Sequence, residues 1–94
     1  MDIEGFLWLN EIVDKILRKH HVSPSEVEEV FHDKPKYIFL EEGDYRGEDL
    51  YIAFGQAASG RYLTVFFIYK QDHRSPILSA RDMARKERRR YETK

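Results

Sequence analysis

The chain of 94 residues contains no cysteine. Disulfides, thiolate nucleophiles and cysteine-ligated metals are therefore excluded, and the reducing cytoplasm is a compatible setting. Glycine (5) and proline (3) are sparse, so there is no linker and no low-complexity stretch, and no internal repeat is visible. Long apolar runs are also missing. The longest, Tyr62 to Tyr69, is interrupted by Thr64 and falls far short of the ~20 residues that span a bilayer as a helix. Nor does the start carry the basic stretch of a secretory signal, since Asp2 and Glu4 stand there instead. The expectation is a soluble cytoplasmic protein without a membrane partner.

What is present describes one small globular domain, residues 1–94. Hydrophobic residues make up 41% and charged residues 35%, enough apolar matter for a thin core and too much for a disordered chain. The net charge of −1 hides an asymmetry. Residues 1–50 carry 13 acids against 6 Lys or Arg, whereas residues 51–94 carry 4 acids against 10. Such a chain can offer a basic face while remaining neutral overall, as nucleic-acid binders do; a charged, merely solvated last helix accounts for the same counts.

Leu9, Ile12, Val13, Ile16 and Leu17 recur at helical spacing and predict an amphipathic helix ending near His20–His21, with Ile3 to Phe6 before it as a short edge strand or a lead-in. Ser23-Pro24-Ser25-Glu26 is a capping box with proline at the first helical position, and it opens a second short helix whose apolar face is Val27, Val30 and Phe31. From Lys36 the pattern turns to strand: Tyr37–Leu40, then Leu50–Gln56 and Arg61–Lys70 around the loop Ala57-Ala58-Ser59-Gly60. Arg61–Lys70 reads as the central strand. Ile77–Ala80 is a further short strand, with Pro76 placing its start there or at an edge. Ser79-Ala80-Arg81-Asp82 has a capping-box pattern and predicts a last helix from Asp82 to about Glu92. Met83, Ala84, Glu87 and Tyr91 lie along one side of that helix, a narrow stripe, with Arg85, Lys86, Arg88, Arg89 and Arg90 around the rest. The predicted class is α+β: two N-terminal helices, an antiparallel sheet of about four strands and a basic C-terminal helix.

Three segments carry a resemblance to a known family. Ile77-Leu78-Ser79-Ala80-Arg81 followed by Arg85-Lys86-Glu87-Arg88-Arg89-Arg90-Tyr91 is similar to the closing strand and helix of the BrnT-type toxins. Lys19-His20-His21-Val22-Ser23 with Glu26 to Phe31 resembles a second motif of the same family, and Gly47-Glu48-Asp49, Gly55 and Gly60-Arg61 resemble a third. The resemblance implies a fold like that of RelE and other microbial ribonucleases, with helices packed on one face of an antiparallel sheet. It implies an endoribonuclease toxin of a type II toxin–antitoxin module that cleaves RNA without a metal or other cofactor. Its implied partners are the RNA and a small antitoxin with a DNA-binding domain of the ribbon–helix–helix type. The chain departs from the family at His21, where glycine is usual, at Leu50, where arginine is common, and at Ser75-Pro76. Two cationic positions are thus uncharged, which motivates an alternative: a catalytically impaired toxin-like domain that acts as a protein-binding module.

Metal-free RNA cleavage needs a base, an acid and cations around a crowded phosphorane. His20, in the matched Lys-His pair, is the leading acid or base, although a histidine ending a helix also suits free carbonyls. Arg81, at the junction of last strand and last helix, is the leading transition-state cation; pairing with Glu48 or Asp82 is its structural alternative. Glu48 is a weaker candidate base or orienter of Arg81, and Arg61 a further phosphate ligand or a turn-flanking residue. Lys19, Arg85, Lys86 and Arg89 are candidate RNA contacts, or contacts to an acidic antitoxin surface. Tyr91 reads as core rather than a stacking platform. No metal site is expected: His20 and His21 point to different sides, His32 and His73 are distant, and Glu41-Glu42-Asp44 lacks a calcium-loop spacing.

Overall fold

The computed structural model describes residues 1–45 and 47–93. A short strand β1 (Gly5–Leu7) leads into α1 (Asn10–His20) and α2 (Pro24–His32), after which come β2 (Lys36–Glu41), β3 (Asp49–Gln56), β4 (Tyr62–Tyr69), β5 (Arg74–Asp82) and α3 (Arg85–Glu92). Five strands form one sheet in the order β1-β5-β4-β3-β2. The β2-to-β5 strands pair antiparallel, and β1 adds to β5 in parallel through Gly5 to Leu7 against Arg74 to Pro76. The fold is α+β as expected, but the sheet is mixed and has five strands instead of about four.

The helices start and stop where side-chain chemistry dictates. Ser23 caps α2: its hydroxyl accepts from the Glu26 N–H at 3.2 Å, and the Glu26 carboxylate accepts from the Ser23 N–H at 3.0 Å. α1 ends at His21, which takes the left-handed conformation (φ 55°, ψ 36°) that glycine adopts most easily.

Alternation along β4 divides the sheet into two faces. Leu63, Val65 and Phe67 are fully buried and join Ile16, Val22, Val27, Val30, Ala53, Ile77 and Ala80 in the core under α1 and α2. Phe31 of α2 meets Phe67 edge-on at 5.1 Å and Phe6 at 5.0 Å. Gly55 lets α2 approach: a Cβ there would stand 2.6 Å from a Val30 methyl. The second face carries Tyr62, Thr64, Phe66 and Ile68, with Leu50, Ile52 and Phe54 opposite them on β3. α3 lies on this second face. Tyr91 meets Tyr62 edge-on at 6.1 Å, Glu87 meets Thr64, and the Lys36 ammonium donates to the Arg90 and Thr93 carbonyls. The expectation of helices on one face of the sheet is therefore corrected: two lie on one face and the third on the other.

Two further boundaries differ from expectation. β5 begins at Arg74, so Pro76 is inside the strand; it is tolerated at the end of the β1 pairing and beside the β-bulge where register shifts between Phe66 and Phe67. β5 also runs on to Asp82, and α3 starts at Arg85, because Thr64↔Arg81 and Leu63↔Asp82 remain paired. The Ser79–Asp82 pattern is thus strand, and Glu87 accepting from the Ala84 N–H at 2.7 Å forms the actual helix start. Among the described residues, no helix is long and apolar enough to cross a membrane.

Candidate functional site

The start of β4, the end of β5, the end of α1 and the start of α3 meet at one corner of the sheet, and most of the chemically interesting residues gather there. Arg61, one residue before β4, organises the corner. Its Nε donates to Asp82 at 2.6 Å, Nη2 donates to Asp82 at 3.2 Å and to the His20 carbonyl at 2.7 Å, and Nη1 donates to the His21 carbonyl at 2.6 Å and to Glu26 at 3.4 Å. Helix ends leave carbonyls unsatisfied; here a planar fork from a neighbouring strand supplies the missing donors. Hydrogen bonding from Arg61 holds Asp82 below the usual carboxylate range, with His20 and His21 adding to the effect. Hydrogen bonding to Asp82 in turn raises Arg61. Glu26 is lowered chiefly by the backbone N–H of Ser23, with Arg61 contributing.

Arg81 is the neighbour of Asp82 on β5, and alternation sends it to the second face, under α3. There it is held by Glu87 in a bidentate pair, Nη1 to Oε1 at 2.6 Å and Nη2 to Oε2 at 2.8 Å. The guanidinium lies 5.5 Å from the Phe66 ring centre. Glu87 also accepts from the buried Thr64 hydroxyl at 3.1 Å and from the Ala84 N–H. These donors, Arg81 first, pull its carboxyl down to about 2, and the same bond raises Arg81. Neither sequence-level partner of Arg81 is the observed ion pair: Asp82 offers only its backbone carbonyl, at 3.2 Å.

Arg61 thus joins the His20 backbone and the Asp82 carboxylate on the α1 side of the corner, whereas Arg81 turns to the opposite face and touches Asp82 only at its backbone carbonyl. Glu48 is not at this corner. It pairs with Lys70 at 3.4 Å, at the opposite end of β4 from Arg61, roughly 30 Å away at the rise of a strand. Lys19 is exposed at the end of α1, next to this corner, and Arg85, Lys86 and Arg89 are exposed on α3. Arg88 lies over the Tyr62 ring at 3.9 Å and is in an i,i+4 pair with Glu92. Tyr91 is half-buried against Tyr62, in keeping with a packing role.

Glu87 is the site residue that sequence reasoning did not single out. A signal for it exists: it is the one acid on the packing stripe that leads from Met83 to Tyr91, in a mostly cationic helix, and a carboxylate turned toward a sheet needs a cation there.

Chemically, the corner offers the imidazoles at the end of α1, a guanidinium held in place by a carboxylate, and the exposed cations Lys19, Arg85, Lys86 and Arg89. No curated protein matches the chain. The family described as "Ribonuclease toxin, BrnT, of type II toxin-antitoxin system" matches residues 8–87. That span holds the whole of the corner from Lys19 to Glu87, and the chain belongs to this family of ribonuclease toxins.

Proposed function

We propose that the chain is an endoribonuclease that cleaves RNA at this corner without a metal ion, and that a cognate antitoxin neutralises it. The observation that carries the reading is that the end of α1, fixed at the His20 carbonyl by Arg61, and the Arg81–Glu87 pair flank the same end of β5, on either side of Asp82. The ribose 2′-oxygen attacks the adjacent phosphorus as a base removes its proton. The P–O5′ bond breaks and the leaving 5′-oxygen takes a proton from an acid, giving a 2′,3′-cyclic phosphate and a 5′-hydroxyl. His20 serves as acid or base. Arg81 exchanges Glu87 for the phosphorane oxygens and stabilises their charge. Arg61 is a positioning residue that fixes the end of α1, and with it His20. Lys19, Arg85, Lys86 and Arg89 hold flanking phosphates. Glu48 has no part in this reading.

The antitoxin of this reading is a small protein with a ribbon–helix–helix DNA-binding domain. One observation favours a second reading, a binding module without catalysis: the Arg81 fork is fully engaged by Glu87. Induction of the chain alone tests the two. Growth arrest with RNA decay, relieved by Arg81→Ala and by co-expression of a small protein encoded beside the gene, is expected. Arrest that Arg81→Ala leaves intact contradicts the role of Arg81, and no arrest by an expressed, folded chain favours the second reading.

A further inference from the structure

α3 covers only one end of the second face of the sheet. Beyond it, Phe66 and Ile68 of β4, Leu50 and Ile52 of β3, and Leu78 at the β5 bulge form an apolar surface that is half-exposed. At its far end the surface deepens into a cleft of about 420 Å³ with Leu50, Ile68 and Leu78 as its floor and Glu41, Glu42, Asp44, Tyr45 and Glu48 among its walls. The lip is built, not frayed. The Asp49 carboxylate accepts from the Gly43 N–H at 3.3 Å and the Tyr45 carbonyl from the Glu48 N–H at 3.1 Å. A Cβ on Gly43 would collide with the Glu48 carbonyl. Glu48 is balanced by Lys70, whereas Glu41, Glu42 and Asp44 are exposed and make no ion pair among the described residues. Tyr45 is 73% exposed and Leu40, beside the lip, 45%.

We propose that this cleft is a docking site for a basic amphipathic segment of a protein partner, its aliphatic side chains on the floor and its Lys or Arg against the acidic lip. The inference deepens the antitoxin reading by giving the antitoxin a surface and a chemistry, and it does not depend on catalysis. An apolar floor of this kind contributes through burial, and the charged rim selects the sign of the partner. RNA is disfavoured by the same acids. A second copy of this chain is disfavoured because α3, the only strongly basic element among the described residues, already spends its apolar side, Tyr91, on its own Tyr62. Strand addition to the outer edge of β2 is opposed by the bulge between Phe39 and Glu41.

The test is a titration of the full chain, followed by backbone amide NMR. The probe is a synthetic helix-forming peptide with leucines on one face and Lys and Arg on the other, beside a matched peptide carrying Glu in place of the cations. The basic peptide is expected to shift Leu50, Ile68, Leu78 and residues 41–45 saturably, and the acidic peptide to leave them unmoved. E41K/E42K/D44K is expected to weaken the basic peptide at least tenfold while its RNA cleavage stays native; R85E/R89E is expected to leave peptide binding unchanged. Equal binding of both peptides, shifts confined to the α1–α2 face, or no saturable shift overturns the proposal. So do shifts at these residues that grow with protein concentration alone, which would assign the cleft to a second copy. Absence of RNA cleavage by the native chain would sink the catalytic reading and leave this result standing.

Discussion

At the residue scale the two arginines that flank the β4–β5 corner hold different positions. Arg61 satisfies two carbonyls at the end of α1 and two carboxylates at once. Lysine cannot reproduce that fork, so Arg61→Lys is expected to cost about 1 kcal/mol in urea unfolding, by leaving the carbonyls at the end of α1 and Asp82 under-paired. His21 shows the reverse case. Its left-handed backbone is strained for a side chain, and His21→Gly is expected to raise stability by up to ~1 kcal/mol in the same measurement. The left-handed position of His21 was signalled by the family resemblance, which has glycine there, and the structure bears it out. The partner of Arg81 was not legible. Glu48, Asp82 and Glu87 are equally plausible carboxylates along the chain, and only strand alternation with the placement of α3 selects Glu87.

At the element scale, α3 rests on few anchors. No residue of it is fully buried, and the bond between Glu87 and Arg81 is its strongest tie to the sheet. With its folded value about 2 against 4.5 unfolded, Glu87 contributes stability that is fully present above about pH 4.5 and lost as pH falls toward 2. Protection factors of the α3 amides, taken against the intrinsic exchange rate at each pH, are therefore expected to fall across that window while those of the α1–α2 core are kept. Glu87→Gln is expected to show faster exchange already at neutral pH and to lose the acid dependence; a variant with native exchange would show that the tie is idle. On the other face, Gly55→Ala is expected to destabilise by about 1–3 kcal/mol, because its Cβ must displace Val30. The helices and the hairpin strands were readable from period and turn chemistry. The end of β5 was not, since the capping pattern at Ser79–Asp82 is overridden by long-range pairing to β4. The edge-strand reading of Ile3 to Phe6 holds with a shift to Gly5–Leu7, but its parallel pairing was not legible, since the partner lies some seventy positions along the chain.

At the scale of the molecule, the charge asymmetry of the sequence reappears as geometry. Cations of the second half sit on α3 at one end of the second sheet face, and acids of the first half ring the cleft at the other end. RNA affinity is expected to fall with salt. R85A/K86A/R89A is expected to lower the slope of log affinity against log salt by about 2, at ~0.7 for each single-strand phosphate no longer neutralised. An unchanged slope would remove α3 from the RNA surface. The overall class was legible because hydrophobic patterning and the motif segments run through most of the chain. The apolar second face was not, because a strand apolar on both sides reads as buried whether or not an element covers it.

Cleavage of RNA without a metal, with Arg81 acting in the cleavage, is the proposed activity. It is tested most directly by incubating the purified chain with total RNA in EDTA, beside Arg81→Ala purified identically, and by identifying the new ends. The expected result is 2′,3′-cyclic phosphate ends from the native chain and a rate reduced at least ~100-fold in the variant, the scale of losing a transition-state donor. Intact RNA after incubation with a folded native chain, or equal cleavage by Arg81→Ala, would contradict it.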